Sequence, residues 1–124
     1  MTHKPVILVV DDDLPILTLM RNILREFGFE TEVASSGQAA IAAARSASPH
    51  LILLDLNMPG MTGEEVIAGL RNAGAGSIPI LILSGDPVAP AEIARLGVSG
   101  AVQKPFDIPA LVETIRGHVG AMRR

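Results

Sequence analysis

The sequence predicts an α/β fold in which a parallel sheet of five strands is wound on both faces by helices. Short apolar runs alternate along the chain with longer stretches whose apolar residues recur at helical spacing. The run LILL at residues 51–54 has no polar alternation, which is typical of a strand covered on both faces. The composition, 48% hydrophobic with only three aromatic residues, gives the aliphatic core that is typical of parallel sheets.

The first third of the chain contains two predicted strands and the helix between them. The apolar run at residues 6–10 is the first strand, and three aspartates follow it. The side chain of Asp13 can cap a helix that has Pro15 in its first turn, and Gly28 ends that helix. Residues 30–34 alternate polar and apolar side chains, which predicts a shorter strand near an edge of the sheet.

The same alternation continues to the end of the chain. The remaining predicted strands are residues 51–54, 80–83 and 101–103, and the remaining predicted helices are residues 37–46, 63–72, 90–96 and 108–122. Strands and helices in this order form a parallel sheet with right-handed crossovers, although the pattern alone leaves the order of the strands open. We expect residues 1–124 to form a single domain, with no output domain after the last helix.

Charge and composition argue against several classes of protein. The net charge is only −3 and the basic residues are scattered, which argues against a nucleic-acid groove. Without cysteine there is no disulfide, thiolate metal site or thiol nucleophile. The N-terminal apolar run is too short for a signal peptide or a membrane span, so we predict a cytoplasmic location. We expect His3, His50 and His118 to occupy solvent or helix-end positions without a functional role.

Polar residues follow four of the five predicted strands, at the point where each strand ends. In a parallel sheet these ends meet at a common edge, where ligands bind. The residues brought to that edge are Asp11, Asp12, Asp55, Ser84 and Lys104. Carboxylates about 4 Å apart repel by roughly 4 kcal/mol at an effective dielectric constant near 20, so a cation is needed beside them. Oxygen ligands without His or Cys indicate a hard cation, and Mg²⁺ fits best.

The same residues suggest phosphoryl chemistry. An aspartate such as Asp55 that faces a phosphate beside a metal can act as a nucleophile. The hydroxyl of Ser84 and the compact cation of Lys104 could then bind the oxygens of the transferred group. Taken alone, each residue has a plainer explanation, because strand-terminal aspartates often cap helices and serines often form turns. The combination at one edge favours a site.

These motifs also resemble those of a known family. VVDDD, LLDLNMPGMTG, LILSGD and VQKPF are similar to the four signatures of the response-regulator receiver domain, the CheY-like family of two-component signalling, and they cover essentially the whole chain. The resemblance implies a flavodoxin-like sheet with strand order 2-1-3-4-5. It also implies that Asp55 accepts a phosphoryl group from a histidine kinase or a histidine phosphotransfer protein, and that the chain is a signalling phosphoacceptor rather than a conventional enzyme.

The resemblance further implies a role for each residue at the edge. Mg²⁺ would be held by Asp12, Asp55 and the backbone carbonyl of Asn57, with Asp11 reaching the ion through water. Ser84 takes the position of the family's Thr or Ser. Lys104 takes the position of its lysine, which is usually followed by a cis peptide bond, here to Pro105.

One position departs from the family pattern. Receivers usually carry an aromatic residue on the fifth strand, whose ring turns inward when the Thr or Ser hydroxyl moves toward the phosphoryl group. That position is Ala101, and a methyl group has no rotamer to change. We therefore hypothesise that the loops after the third and fourth strands report phosphorylation to an unidentified downstream protein.

Two other functions would account for parts of the sequence. The chain could be a receiver-like interaction module that no longer takes phosphate, which is disfavoured because every chemical residue is present. It could also be an aspartyl-phosphate hydrolase, since Asp11 and Asp13 superficially resemble the nucleophile motif of haloacid-dehalogenase-like phosphatases. We disfavour a hydrolase, because Asp13 leads straight into Pro15 as a helix cap would and little chain remains for a cap domain.

Overall fold

The computed structural model describes residues 4–122, and it describes side chains up to residue 119. Strands and helices alternate through this part of the chain. The strands are β1 (Val6–Val10), β2 (Glu30–Ala34), β3 (Leu51–Asp55), β4 (Ile80–Ser84) and β5 (Gly100–Gln103). The helices are α1 (Leu14–Glu26), α2 (Gly37–Ala47), α3 (Gly63–Asn72), α4 (Pro90–Leu96) and α5 (Ile108–Met122). Every predicted element is present, with its bounds within about one residue of the prediction, a difference that helix and strand assignments routinely carry.

The five strands form one parallel sheet in the order β2-β1-β3-β4-β5. This is the order that the family resemblance implied. Val10 pairs with Leu54, so the residues that follow them, Asp11 and Asp55, are neighbours at the carboxyl edge. Asp55 pairs in turn with Leu83, which leaves Ser84 one residue further along the same edge.

Apolar side chains cover the sheet on both faces. On one face, side chains of β1 and β3 such as Val9 and Leu53 pack with α1 and α5. On the other face, Leu8 and Ile52 pack with α2, α3, Leu96 at the end of α4 and the residues that flank α4. All five residues of β3 are buried, as expected for a central parallel strand, whereas the edge strand β2 keeps the predicted alternation.

Local signals fix the ends of the helices that leave the carboxyl edge. The Asp13 carboxylate accepts a hydrogen bond from the Ile16 N–H at 3.3 Å, which confirms it as the cap of α1. Gly28 has a φ of 91° and ends that helix in the left-handed region that glycine tolerates. Thr62 and Glu65 form a capping box at the start of α3. Of the helices in the described residues, none is long and apolar enough to cross a membrane.

The histidines differ from one another in their surroundings. The expectation of a solvent or helix-end position was wrong for His50, which is half-buried just before β3, and its Nδ1 accepts a hydrogen bond from the Val6 N–H at 3.0 Å. The backbone N–H of His50 also donates to the Val6 carbonyl at 2.8 Å, so this residue joins the starts of β1 and β3. His118 is half-buried near the end of α5, and His3 lies outside the described residues.

Candidate functional site

Three carboxylates meet at the carboxyl edge of the sheet. Oxygens of Asp11, Asp12 and Asp55 all lie within 4.8 Å of one another. Within the described side chains, Asp11 and Asp55 are the buried charged residues, with 1% and 6% of their surfaces exposed, whereas Asp12 is exposed. This cluster offers only oxygen ligands and a concentrated negative charge, so its chemistry fits a hard divalent cation such as Mg²⁺.

Lys104 supplies the positive charge that the structure brings to this cluster. Its Nζ lies 2.8 Å from Oδ2 of Asp11 and 3.5 Å from Oδ2 of Asp55. The Lys104 backbone N–H donates to the Ser84 carbonyl at 2.7 Å, and the peptide bond to Pro105 is cis, as the resemblance implied. One ammonium group beside three carboxylates leaves an excess of negative charge, which is a second reason that the cluster suits a cation.

Each buried carboxylate uses one oxygen to hold its own loop. Oδ1 of Asp11 accepts the Asp13 N–H, and Oδ1 of Asp55 accepts the Asn57 N–H, each at 3.0 Å. The other oxygen of each carboxylate, Oδ2, is the atom that faces Lys104. The loops therefore fix the orientation of both carboxylates and keep one oxygen of Asp55 turned into the site.

The ionisation of the site follows from burial and from these contacts. Burial and the nearby charge of Asp11 raise the pKa of Asp55, and they outweigh the opposite effects of the Asn57 hydrogen bond and Lys104. Partial burial lowers the pKa of Lys104, but the hydrogen bond and charge of Asp11, reinforced by Asp55, raise it overall. Lys104 is thus held as a cation, and ionisation of Asp55 carries a cost in free energy that a further cation would reduce.

Ser84 is at the edge of the site with its hydroxyl bonded to its own loop. The side chain is half-buried, and Oγ accepts a hydrogen bond from the Asp86 N–H at 3.1 Å. No hydrogen bond joins Ser84 to Asp55 within the described residues. The hydroxyl hydrogen thus remains available to a group that binds on Asp55.

A family model described as the response regulator receiver domain matches residues 7–116. The chain belongs to this family. Among curated proteins, the receiver is 36% identical over 118 residues to the DNA-binding response regulator MtrA of Mycolicibacterium smegmatis, covering 95% of this chain and 52% of that protein. It is 37% identical over 116 residues to the probable transcriptional regulatory protein TcrX of Mycobacterium tuberculosis, covering 91% and 49%. The chain therefore spans about half the length of the curated relatives it matches.

Solved structures agree with this assignment. The receiver superposes on the chemotaxis protein CheY4 of Vibrio cholerae with a TM-score of 0.86 and 32% sequence identity, covering 94% of this chain and 99% of that one. It also superposes on a CheY-like receiver domain protein of Methanospirillum hungatei with a TM-score of 0.83 and 26% identity, covering 93% of each chain. Both matches extend over nearly the whole receiver, so the fold and the family are shown together.

The fifth strand of the receiver has the small residue that the sequence indicated. Ala101 pairs with Ile82 of β4 and is exposed to solvent. The next outward-facing residue, Gln103, is also exposed, and its Nε2 donates to the Gly85 carbonyl at 3.4 Å. This strand therefore presents a shallow, open surface at the position where a switching ring is usual.

Sequence reasoning missed the contacts of two arginines that connect α3 with α4 and its C-terminal end. Arg71 donates to the carbonyls of Ala75, Ile78 and Gly97. Arg95 forms ion pairs with Glu64 and Glu92. Arg71 could have been noticed as a basic residue in the last turn of a helix followed by a glycine-rich loop, a position that suits carbonyl binding. The Arg95 to Glu64 pair joins residues far apart in sequence, and no local pattern indicates it.

Proposed function

We propose that this receiver is a phosphoacceptor of a two-component phosphorelay, in which Asp55 takes a phosphoryl group from a histidine kinase or a histidine phosphotransfer protein. The observation that carries the proposal is the orientation of Asp55. One of its oxygens accepts the Asn57 N–H, and the other faces Lys104 at 3.5 Å beside two further carboxylates. A buried, oriented carboxylate next to a cation is suited to attack on phosphorus.

The residues of the cluster fit Mg²⁺. We propose that Asp12, Asp55 and the Asn57 carbonyl would hold the ion, with Asp11 bound through water. When bound, the ion would neutralise charge on the carboxylates and on the phosphoryl oxygens. The ion, held beside Asp11 and Asp12, would then allow Asp55 to stay ionised next to a phosphate despite the negative charge of those carboxylates.

The transfer itself follows from the geometry of Asp55. An oxygen of Asp55 attacks the phosphorus of a phosphohistidine, forming a P–O bond as the P–N bond breaks. The released imidazole nitrogen takes up a proton from solvent. Lys104, whose Nζ already faces Asp55, and the Ser84 hydroxyl are the groups that would bind the oxygens of the transferred phosphoryl group. Water later hydrolyses the acyl phosphate and restores the carboxylate.

An apolar surface beside the site supports docking of the phosphodonor. A cavity of about 630 Å³ lies between α1 and the start of α5, next to Lys104. It is lined on one side by Ile16, Leu19 and Ile23 and on the other by Pro105, Phe106 and Ile108. Leu19 is 54% exposed and lies beside Ile16 and Ile23, so α1 contributes a contiguous apolar patch, the kind of surface that often marks an interaction site. A donor that packs here would bring its histidine next to Asp55.

The alternative functions have less support. In an aspartyl-phosphate hydrolase of the type considered, Asp11 would be the nucleophile and Asp13 would act on the substrate. Asp13 instead caps α1 through the Ile16 N–H, and Asp11 is bound to Lys104. We propose that the receiver catalyses only its own phosphorylation and dephosphorylation, and that it acts as a switch for a downstream protein.

Intact mass spectrometry after incubation with a small phosphodonor and Mg²⁺ tests the proposal. We expect the protein to gain one phosphoryl group, and we expect Asp55→Asn to gain none. Asp86→Asn is a matched control, because this aspartate also follows a strand at the same edge but lies outside the carboxylate cluster. No mass gain in the unaltered protein, or an equal gain in Asp55→Asn, would contradict the proposal.

The docking surface is tested separately. Leu19→Glu adds charge to the apolar cavity at an exposed position that the fold does not need. We expect this variant to take phosphate from a small phosphodonor at the normal rate but from a phosphorylated histidine phosphotransfer protein at least about tenfold more slowly, since a charge buried without a partner costs more than about 1 kcal/mol. Equal rates with both donors would remove the cavity from the proposal.

A further inference from the structure

A cavity separate from the phosphoacceptor lies beside the edge strand β2. It has a volume of about 330 Å³, at the small end of ligand sites, and lies between the second half of α1 and the start of β2. Thr31 of β2 lines it and pairs with Ile7 of β1. Asp11 is four residues beyond Ile7, so the cavity is about 13 Å from the carboxyl edge of the sheet.

Three positively charged side chains line this cavity. Arg21 and Arg25 are one helical turn apart and so lie on the same side of α1, and Lys4 lines the cavity from the segment before β1. Among the described side chains, none of these three forms an ion pair. Leu19, on the apolar docking surface, is two residues from Arg21 and therefore about 200° round the helix. The basic side of α1 is thus a different surface from the apolar one.

Strand β2 contributes a polar atom without a partner. Among the described side chains, Oγ1 of Thr31 is the buried polar side-chain atom that forms no hydrogen bond. Such a hydroxyl costs free energy on folding and calls for an explanation. Basic residues are common near the C-terminus of a helix because of its partial negative charge, but that does not account for the hydroxyl. A ligand with several acceptor oxygens would be bound by the cations and by the hydroxyl together.

Two glutamates, Glu30 and Glu32, also line the cavity and limit what it can bind. Side chains alternate between the faces of a strand. Thr31 therefore shares the α1 face with Val33, whereas the glutamates share the opposite face with Ala34. A ligand with one compact anionic group can meet the arginines and Thr31 on the α1 face. An extended polyanion would also meet the two carboxylates, which would repel it.

We propose that this cavity binds the phosphate group of a small soluble molecule. The forked guanidiniums of Arg21 and Arg25 bind its oxygens, the Thr31 hydroxyl donates to another, and Lys4 adds a further positive charge. Phosphate is favoured over a carboxylate, because its three acceptor oxygens can serve both guanidiniums and the hydroxyl at once. The bound group connects α1 to β2 and so stabilises the folded protein. This site depends neither on Asp55 nor on Mg²⁺.

An NMR titration of the whole chain with inorganic phosphate tests the site. Ionic strength is held constant, and a chelator keeps metal from the carboxylate cluster. We expect saturable amide shifts within residues 21–32 at roughly millimolar phosphate, with none at Asp55. Arg21→Gln and Arg25→Gln should each weaken binding by about tenfold, the loss of one charge-assisted hydrogen bond.

Arg45→Gln is the matched control for the arginine variants. It removes an exposed positive charge from the last turn of α2, which packs on the other face of the sheet. We expect this variant to bind phosphate as the unaltered protein does. Shifts that do not saturate, or equal affinities in the arginine variants and the control, overturn the site.

Thr31→Val separates binding from a structural role, because valine keeps the branched shape of threonine and lacks the hydroxyl. We expect phosphate to bind this variant about fivefold more weakly. Without phosphate, we expect its urea midpoint to be unchanged or higher, since a buried polar atom without a partner has been removed. Phosphate affinity equal to that of the unaltered protein overturns the site as proposed.

Sedimentation with vesicles distinguishes a soluble ligand from a lipid headgroup. Vesicles of phosphatidylcholine and phosphatidic acid present the same phosphate group on a surface. We expect the receiver to stay in the supernatant, because the Thr31 hydroxyl is shielded and the two glutamates beside it repel an anionic surface. Sedimentation that Arg25→Gln abolishes would assign the site to a lipid and overturn the soluble ligand.

Discussion

Helices α3 and α4 follow the two loops that flank the candidate acceptor, yet the chain holds them in opposite ways. Helix α3 buries Val66, Ile67 and Leu70 and begins with a capping box. Helix α4 buries no side chain and begins at an alanine without a capping bond. The loop from Asp55 therefore ends in a helix with three buried side chains. The loop from Ser84 ends in a helix that packs on the core through the half-buried Leu96 and contacts α3 through an ion pair.

This difference assigns different roles to the two loops. A site that changes on phosphorylation needs one rigid side as a reference and one side that can respond. Burial of α3 in the core beneath β3 gives the rigid side. Helix α4, which has no fully buried side chain, gives the responsive side.

The largest expected effect is on stability, from truncating an equivalent apolar residue in each helix. Leu70 is fully buried, so we expect Leu70→Ala to lower the free energy of unfolding by about 3 kcal/mol, as for other buried leucines. Ile93 is half-buried, and we expect Ile93→Ala to lower it by about 1 kcal/mol. Urea unfolding followed by circular dichroism measures both, since the chain has no Trp or Tyr. Equal losses would mean that α4 is as firmly packed as α3.

The next largest loss of stability is expected from removing the Arg71 hydrogen bonds, one of which connects α3 to the end of α4. Arg71→Met keeps the length of the side chain but leaves three carbonyls without their donor, and we expect a loss of about 2 kcal/mol. Arg116→Met is the control, because Arg116 is exposed and makes one hydrogen bond of 3.3 Å, to the Phe27 carbonyl. We expect this control to lose less than about 1 kcal/mol. Similar unfolding midpoints for the two variants would show that Arg71 does not fix α4.

A substitution of Asp55 is expected to make the metal-free protein more stable, by a smaller amount. Burial and Asp11 raise the pKa of Asp55, so its ionised form destabilises the fold. We expect Asp55→Asn to increase the free energy of unfolding at pH 7 by about 1 kcal/mol, because it removes a charge that is buried and repelled by Asp11, effects that Lys104 only partly offsets. Thermal unfolding in the presence of a chelator measures the difference.

The pH dependence of that difference follows from the same raised pKa. The folded protein binds the Asp55 proton more tightly than the unfolded chain does, so stability falls as pH rises from the ordinary value of 3.8 through the folded pKa. Asp55→Asn lacks this loss. Its advantage should therefore be small near pH 4, grow as pH increases and then become constant. An advantage that shrinks with rising pH would contradict the assigned direction.

Much of the fold could be predicted because its signals are local. The unalternating run at residues 51–54, the capping Asp13 and the stop at Gly28 are each readable within a few residues. The carboxylate cluster was also predictable, because parallel strands necessarily bring their carboxyl ends to one edge. Strand order came instead from the family resemblance, since the periodicity of each strand carries no information about its neighbours.

What could not be predicted depends on contacts between distant residues. The partners of Arg71 and Arg95 follow from how α3 and α4 lie against each other, and a sequence does not show which arginines have such partners. The hydrogen bond from Val6 to His50 likewise joins the starts of two strands that are neighbours only in the folded sheet. The sequence also does not show that the Ser84 hydroxyl accepts a hydrogen bond from the Asp86 N–H in its own loop, because this depends on the conformation of the loop.

The smallest expected changes come from substituting the N-cap residues of α3 and α4. Comparing them distinguishes the global stability of the protein from the local stability of α4. Thr62→Ala removes the hydroxyl that accepts the Glu65 N–H, and we expect it to lower the free energy of unfolding by about 1 kcal/mol. Ala89→Ser adds a hydroxyl at an extended N-cap position three residues before Glu92, where a capping box can form. A helix that opens separately from the core should gain locally from this change, with exchange of its amides slowed about threefold.

The midpoint of urea unfolding then decides whether α4 opens separately from the core. If α4 opens before the rest of the receiver unfolds, Ala89→Ser should alter the urea midpoint by much less than Thr62→Ala does. The reason is that α4 would already be unfolded when the core begins to unfold, so its cap would no longer affect that transition. If the two caps change the midpoint equally, α4 unfolds together with the core. In that case α3 and α4 would differ in burial but not in cooperativity, and the rigid and responsive sides of the site would have to be assigned on other grounds.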